Sequence, residues 1–274
     1  MSPHYSWINF TGMIAKIKDE DYFKTGKIEN NIKPLGTGFI IFSNDKPFLI
    51  TARHVIQNEE YTLANLPCIF DYTFDSASGI RREIINLSNI QKENGFKWIF
   101  HEDDERIENQ GNNYLIDIAI TQLVVSKEFT EALYWGRNDS NFIADFMDTT
   151  IGNDIRIIGF PLAFVSSGDY TPTIRRRIIA RKIHGKTIFK NKFFPRLSYL
   201  IDCFIDNGNS GSPVIKIPID STLRTSTKPD WDPNTEGLIG VATGHFGTER
   251  AHAGLGICIS VDYIYDIIKS IENK

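Results

Sequence analysis

The sequence predicts an all-β fold of the sandwich or barrel type, finished by a single C-terminal helix. Two observations carry this prediction. Short runs rich in β-branched and aromatic residues recur along the chain, separated by polar or glycine-containing turns such as Ser43-Asn44-Asp45-Lys46. Repeated short strands of this kind build sandwiches and barrels. In the last segment the apolar positions are Val261, Ile264, Ile267, Ile268 and Ile271, a helical spacing that puts one apolar face against the body.

In chain order, the strand signals are Phe39-Ile40-Ile41-Phe42, Phe48-Leu49-Ile50-Thr51, Ile118-Ala119-Ile120 and Val214-Ile215-Lys216-Ile217. Residues 127–151 read as a connector, with a short helical turn over Glu128-Phe129-Thr130-Glu131-Ala132-Leu133. This divides the chain into a first half, 1–126, and a second half, 152–274, whose terminal helix covers about 261–272. Two polar segments, Glu93 to Asn113 and Pro218 to Glu236, read as long loops, which in compact domains are often functional. No internal repeat stands out.

Bulk properties narrow the function classes. With 274 residues the chain can bury a substantial core, as one large domain or two joined halves. A hydrophobic fraction of 41% and a charged fraction of 23% describe a soluble globular protein. The net charge of −4 argues against obligatory nucleic-acid binding. No run is apolar for long enough to span a bilayer, so no membrane partner is expected. Met1 to Gly12 lacks a basic start followed by an apolar core, so no signal peptide is expected. Cys68, Cys203 and Cys258 are odd in number and lack metal-ligand spacing. A reducing, cytoplasmic location is the reading that follows.

Three segments carry chemistry. Leu49-Ile50-Thr51-Ala52-Arg53-His54 places a histidine after an apolar strand. Tyr114-Leu115-Ile116-Asp117-Ile118-Ala119-Ile120 opens another apolar run with an aspartate. Gly208-Asn209-Ser210-Gly211-Ser212-Pro213 sets a serine in a glycine-flanked turn. A serine hydroxyl is a poor nucleophile until an imidazole takes its proton, and that imidazole needs a carboxylate to fix its tautomer. Glycines leave the serine exposed and free backbone N–H groups to face a developing oxyanion. Asp103 and Asp104 compete with Asp117 for the carboxylate role, but they lie in the charged run Glu102 to Glu105, more simply a solvated loop. Asp117 precedes an apolar strand, where a charge demands a partner.

In their order His, Asp, Ser these segments resemble the trypsin/chymotrypsin-like serine peptidases, and most closely the bacterial HtrA-type branch. Gly36-Thr37-Gly38-Phe39-Ile40-Ile41 is similar to the strand before the histidine, and Asp154 to Pro161 to the strand ending in Gly-x-Pro. Gly237 to Thr243 is similar to the strand beside the substrate, and Gly254 to Ile259 to the last barrel strand. The likeness thins over residues 1–30, 76–113 and 216–236. It implies two six-stranded antiparallel β-barrels with a C-terminal α-helix, the first half carrying His54 and Asp117 and the second carrying Ser210. It implies catalysis by His54, Asp117 and Ser210, an oxyanion hole from the backbone of Gly208, Asn209 and Ser210, and no metal or organic cofactor. Ser212 stands where a second glycine is common. The peptide-binding module that often follows in HtrA-type proteins is expected to be absent, since the chain ends soon after the helix.

The resemblance also places substrate-binding residues at Phe204 and at Ala242, Thr243, Gly244 and His245, with the latter strand pairing with substrate. Trypsins carry an aspartate where Phe204 stands, so preference for Lys or Arg is not expected. A small or medium apolar P1 side chain is the first choice; His245 offers the alternative of an acidic or amide side chain. The predicted function is a serine endopeptidase acting on proteins or peptides, restrained by narrow specificity or by a regulatory partner protein. The alternatives are a binding or scaffolding protein on the same fold and, less favoured, a nucleic-acid module using Ile174 to Lys182. That basic run reads more simply as a solvated hairpin, because few aromatics lie nearby for base stacking.

Overall fold

A computed structural model describes residues 10–17, 32–44, 46–57, 68–76, 79–87, 97–103, 116–127, 149–161, 172–184, 187–189, 192–194, 197–205, 207–217, 237–248 and 251–273. The expected helical turn at Glu128 to Leu133 and the loop from Pro218 to Glu236 lie outside these residues, as does most of the loop from Glu93 to Asn113.

The first half is a six-stranded antiparallel sheet. Its strands are β1 (Thr11–Ile17), β2 (Ile32–Ser43), β3 (Lys46–Thr51), β4 (Cys68–Ser76), β5 (Gly79–Asn86) and β6 (Ala119–Gln122), in the spatial order β5-β4-β1-β2-β3-β6. The second half uses β7 (Asp154–Gly159), β8 (Thr173–His184), β11 (Leu197–Ile201), β12 (Pro213–Lys216), β13 (Gly237–Thr248) and β14 (Ala251–Ser260). These close into a barrel in the order β11-β14-β13-β12-β7-β8, sealed by pairing of β8 with β11. Between β8 and β11 lies a two-stranded pair, β9 (Thr187–Phe189) and β10 (Lys192–Phe194). Both halves thus contain a six-stranded sheet, but only the second is closed by hydrogen bonds; β5 and β6 are not paired with each other among the described residues. A four-residue helix, α1 (Arg53–Ile56), follows β3, and α2 (Asp262–Glu272) ends the fold.

The basic run from Ile174 to Lys182 is part of one continuous strand, β8, rather than a hairpin. It pairs with β7 on one side and β11 on the other. Ile174, Arg176 and Ile178 alternate on its solvent side, and Arg176 is paired with Asp154 at 2.6 Å.

One hydrophobic cluster joins the halves. It unites Phe39, Phe48, Ile50, Ile116, Ile118 and Ile120 of the sheet with Ile158, Ile215, Leu238, Val241 and Ile259 of the barrel. Helix α2 adds Tyr263, Ile264, Ile267 and Ile268 to the same cluster, the face that its apolar spacing requires. Each such side chain removed from water contributes roughly 1.5–3 kcal/mol before entropy is counted. Ser43 Oγ at the end of β2 donates to Glu272 at 2.8 Å, so the helix is pinned to the first half although it follows the last barrel strand.

Candidate active site

The site is assembled by strand register. Strands β3 and β6 pair with Thr51 opposite Ala119. In an antiparallel ladder, residues just beyond Thr51 therefore face residues just before Ala119. Ala52 is extended (φ −74°, ψ 139°), and α1 then turns so that Val55 and Ile56 enter the core while Arg53 and His54 stay half-buried. Asp117, held between buried Ile116 and Ile118, lies opposite.

Asp117 grips His54 twice. Its Oδ2 lies 2.6 Å from His54 Nδ1, and its Oδ1 accepts the His54 backbone N–H at 2.9 Å. The backbone bond fixes the carboxylate and the ring bond fixes the imidazole. The carboxylate side chain is only 13% exposed and that of His54 30%. Burial alone would lower the imidazole pKa, but the charge of Asp117 and its hydrogen bond overcome this, and the pKa lies above the usual 6.5. With Nδ1–H committed to Asp117, Nε2 is the nitrogen left to accept a proton.

The serine loop comes from the barrel and lodges against the same corner of the sheet. Gly211, at φ +90°, is so closely packed that a Cβ there would run into the Thr37 carbonyl and Thr51 Oγ1, and would stand 3.1 Å from Ala52 N. Only glycine fits both the backbone conformation and the space. Gly36 is wedged similarly between Val55, next to His54, and the carbonyl of Ser210. Ser210 is thereby set beside the segment that carries His54.

Hydrogen bonds fix the loop's backbone. Thr37 N donates to Ser210 O (2.8 Å), Gly211 N to Ala242 O (2.7 Å), and Ser212 N to Asn209 O (3.0 Å). Gly208, at φ +94°, gives its carbonyl to Thr37 Oγ1 at 2.7 Å. Among the described residues, neither the Gly208 nor the Ser210 N–H donates to another protein group. Two uncommitted donors, on buried Gly208 and half-buried Ser210, suit an anion that forms only during a reaction.

The remaining predicted residues fall nearby, with one refinement. Ala242 is committed to the serine loop on both sides, its N–H donating to Ser212 O at 2.9 Å and its carbonyl accepting Gly211 N–H. Beyond it, β13 bulges between Ala242 and Gly244 before Gly244 and His245 resume pairing with Ile257 and Gly256. The Phe204 ring stacks on His245, with centroids 5.0 Å apart and planes at 25°. Arg175 Nη1 donates to Phe204 O at 3.3 Å, a cation that no sequence signal places here because it lies far away on β8. Thr37 likewise reads in the sequence only as part of a strand. Among the described residues there is no group of three side chains fit to hold a metal ion.

A model of the trypsin-like peptidase domain matches residues 36–217, about two thirds of the sequence. The chain belongs to the trypsin-like peptidase family. Its fold is shared with the HtrA-type protease AlgW solved with a decapeptide, at 15% identity and a TM-score of 0.55, covering 100% of this chain and 68% of that one. AlgW with a tripeptide matches at 14% identity and a TM-score of 0.54, over 99% of this chain; the match spans 64% of the AlgW chain's length. The active form of the Rv3671c protease from M. tuberculosis matches at 15% identity and a TM-score of 0.50, covering 98% of this chain and 84% of that one. No curated protein is similar enough in sequence to count as a match.

Proposed function

We propose that this chain is a hydrolase, a serine endopeptidase that cleaves protein substrates through Ser210, His54 and Asp117 by way of an acyl-enzyme. The observation that carries the reading is the double grip of Asp117 on His54, 2.6 Å to the ring and 2.9 Å to the backbone, beside the lodged Ser210 loop. Ser210 Oγ attacks the peptide carbonyl while His54 Nε2 takes its proton, and Asp117 stabilises the imidazolium. The N–H groups of Gly208 and Ser210 receive the oxyanion. His54 then gives the proton to the leaving amine, and water attacks the ester with His54 again as base.

Substrate pairs as an added strand with Thr243 to His245. Phe204 stacked on His245 narrows the primary pocket, and Arg175 beside it repels Lys and Arg. A small or medium apolar P1 residue fits best. Restraint by a regulatory partner and residence in a reducing compartment belong to the same reading, the latter supported by three buried free thiols. A fluorophosphonate probe tests the proposal: it should label wild type at Ser210 and leave Ser210→Ala and His54→Ala unlabelled. A folded wild-type protein that resists the probe would instead support a binding or scaffolding role.

A further inference from the structure

The nucleophile loop needs something to hold it. In zymogen-type relatives an aspartate just before the nucleophile pairs with a new N-terminal ammonium. Here that position is Asn209, uncharged and 2% exposed, so no ion pair can form there. The loop's oxyanion donors must be set by other contacts.

Thr37 supplies two of them. It stands on β2 of the first half, fully buried at 0% exposure, and three of its hydrogen bonds, made by its hydroxyl and its backbone N–H, cross to the second half. Its hydroxyl donates to Gly208 O at 2.7 Å, and the same oxygen accepts the Phe160 N–H at 3.0 Å. Its backbone N–H donates to Ser210 O at 2.8 Å. Its carbonyl turns back and accepts Thr51 Oγ1 at 2.7 Å, tying it to the strand that leads to His54.

The consequence follows from peptide planarity. A bond to Gly208 O fixes the plane of the Gly208–Asn209 peptide, and a bond to Ser210 O fixes that of Ser210–Gly211. Between them lies the Asn209–Ser210 peptide, which carries the Ser210 N–H. That peptide is held directly by the Ser212 N–H on Asn209 O at 3.0 Å, and with both neighbouring planes clamped by Thr37 the Ser210 N–H keeps one direction. Any residue could make the backbone bond, but only a hydroxyl both donates to Gly208 O and accepts from Phe160. Phe160 in turn packs among Met13, Ala15, Ile17, Ile32 and Ile69 of the sheet, so the hydroxyl is anchored on the far side too.

Building on the proposed role of Ser210, we propose that Thr37 is a positioning residue that, through its hydroxyl, helps fix the direction of the Ser210 N–H, one of the proposed oxyanion donors. It takes the place of a charge pair, with no charge involved.

The test compares Thr37→Val, Thr37→Ala and Thr37→Ser with wild type in saturable fluorophosphonate labelling of Ser210. Removing the hydroxyl should lower the maximal labelling rate about 10- to 100-fold, since small misplacement of reacting groups costs on that order. The half-saturating probe concentration should stay within a few-fold. The acid limb of the labelling pH profile should stay in place, because His54 and Asp117 are untouched. Thr37→Ser should recover most of the rate. A general loosening of the fold would move all three readouts together and would not spare the serine variant. Equal maximal rates in wild type and either folded hydroxyl-less variant would overturn the inference. So would hydroxyl-less variants that cannot fold at all, since Thr37 would then be a folding residue. Failure of wild type itself to label would sink the proposed function, a distinct outcome.

Discussion

Replacing Asp117 with asparagine tests the logic of the site most directly. The amide has nearly the carboxylate's shape, so its oxygen can keep the 2.9 Å bond from the His54 N–H. The NH2 group then occupies the place of Oδ2, 2.6 Å from His54 Nδ1. Two donors cannot share that contact, so the ring must move its proton to Nε2, the nitrogen proposed to take the Ser210 proton. Flipping the amide instead would restore the ring bond and lose the backbone one. In a Ser-His-Asp triad the aspartate-to-asparagine change lowers kcat about 10⁴-fold, or about 5.4 kcal/mol at 1.36 kcal/mol per tenfold. The pH profile adds a second sign. Burial lowers the His54 pKa and Asp117 more than offsets it, so the acid limb of wild-type labelling should lie above pH 6.5. Without the carboxylate only burial remains, and the limb of the residual activity should fall. The raised pKa also makes the pair stabilising below the unfolded imidazole value of about 6.5, an effect lost as pH rises through the folded value. Asp117→Asn should therefore lose stability chiefly at acid pH. Fluorophosphonate labelling rates from about pH 5 to 9, with thermal melts at both ends, measure both effects. A variant labelled as fast as wild type, or one with an unmoved acid limb, would refute the assignment.

Other expectations are simpler to state. A peptide library should show cleavage after Val, Ala or Leu and strong discrimination against Lys and Arg; dominant cleavage after Arg would mean that Phe204 and Arg175 do not shape the primary pocket. Ser212 Oγ is buried and has no hydrogen-bond partner among the described residues; Ser212→Ala should raise stability by about 1 kcal/mol by removing an unsatisfied hydroxyl, as read from thermal or denaturant unfolding. An N-terminal tag should leave labelling within a few-fold of the untagged protein, because Asn209 offers no charge to a free ammonium; activity that appears only after N-terminal cleavage would contradict this.

Much of the architecture is legible in local pattern. Phe48 to Thr51 and Ile118 to Ile120 read as strands because β-branched residues crowd them, and the spacing from Val261 to Ile271 indicates a helix that spans Asp262–Glu272. Strand β1 is not legible in this way. Its residues Thr11 to Ile17 are nearly all buried because it lies mid-sheet between β2 and β4, so it shows little of the polar alternation that marks an exposed strand. The exact register of β3 on β6 is also hidden, although His54 and Asp117 can be nominated from chemistry alone. What brings them within 2.6 Å is the long-range pairing of Thr51 with Ala119, which no local signal encodes. Thr37 is the least legible. Its importance comes from a hydrogen bond to a residue 171 positions away, and a threonine between two glycines looks like an ordinary strand residue.

Those long-range bonds explain why chemistry of this kind sits at the seam between the two halves. His54 and Asp117 ride on the sheet, while Ser210 and its N–H donors ride on the barrel. Neither half holds the proposed nucleophile together with its proposed base. The cluster that unites Ile116 and Ile118, on either side of Asp117, with Ile158, Ile215 and Val241 of the barrel is also the one that receives α2. Apolar burial of that size is non-directional and can bring the halves together, but it cannot aim an N–H group. Aim comes from the few buried hydrogen bonds at the same seam, which form only when docking is complete and are costly to leave unmade. The polar contacts of Thr37 thus turn a general hydrophobic association into one register. On the proposed roles, correct docking of the halves and alignment of Ser210 with His54 depend on the same buried bonds.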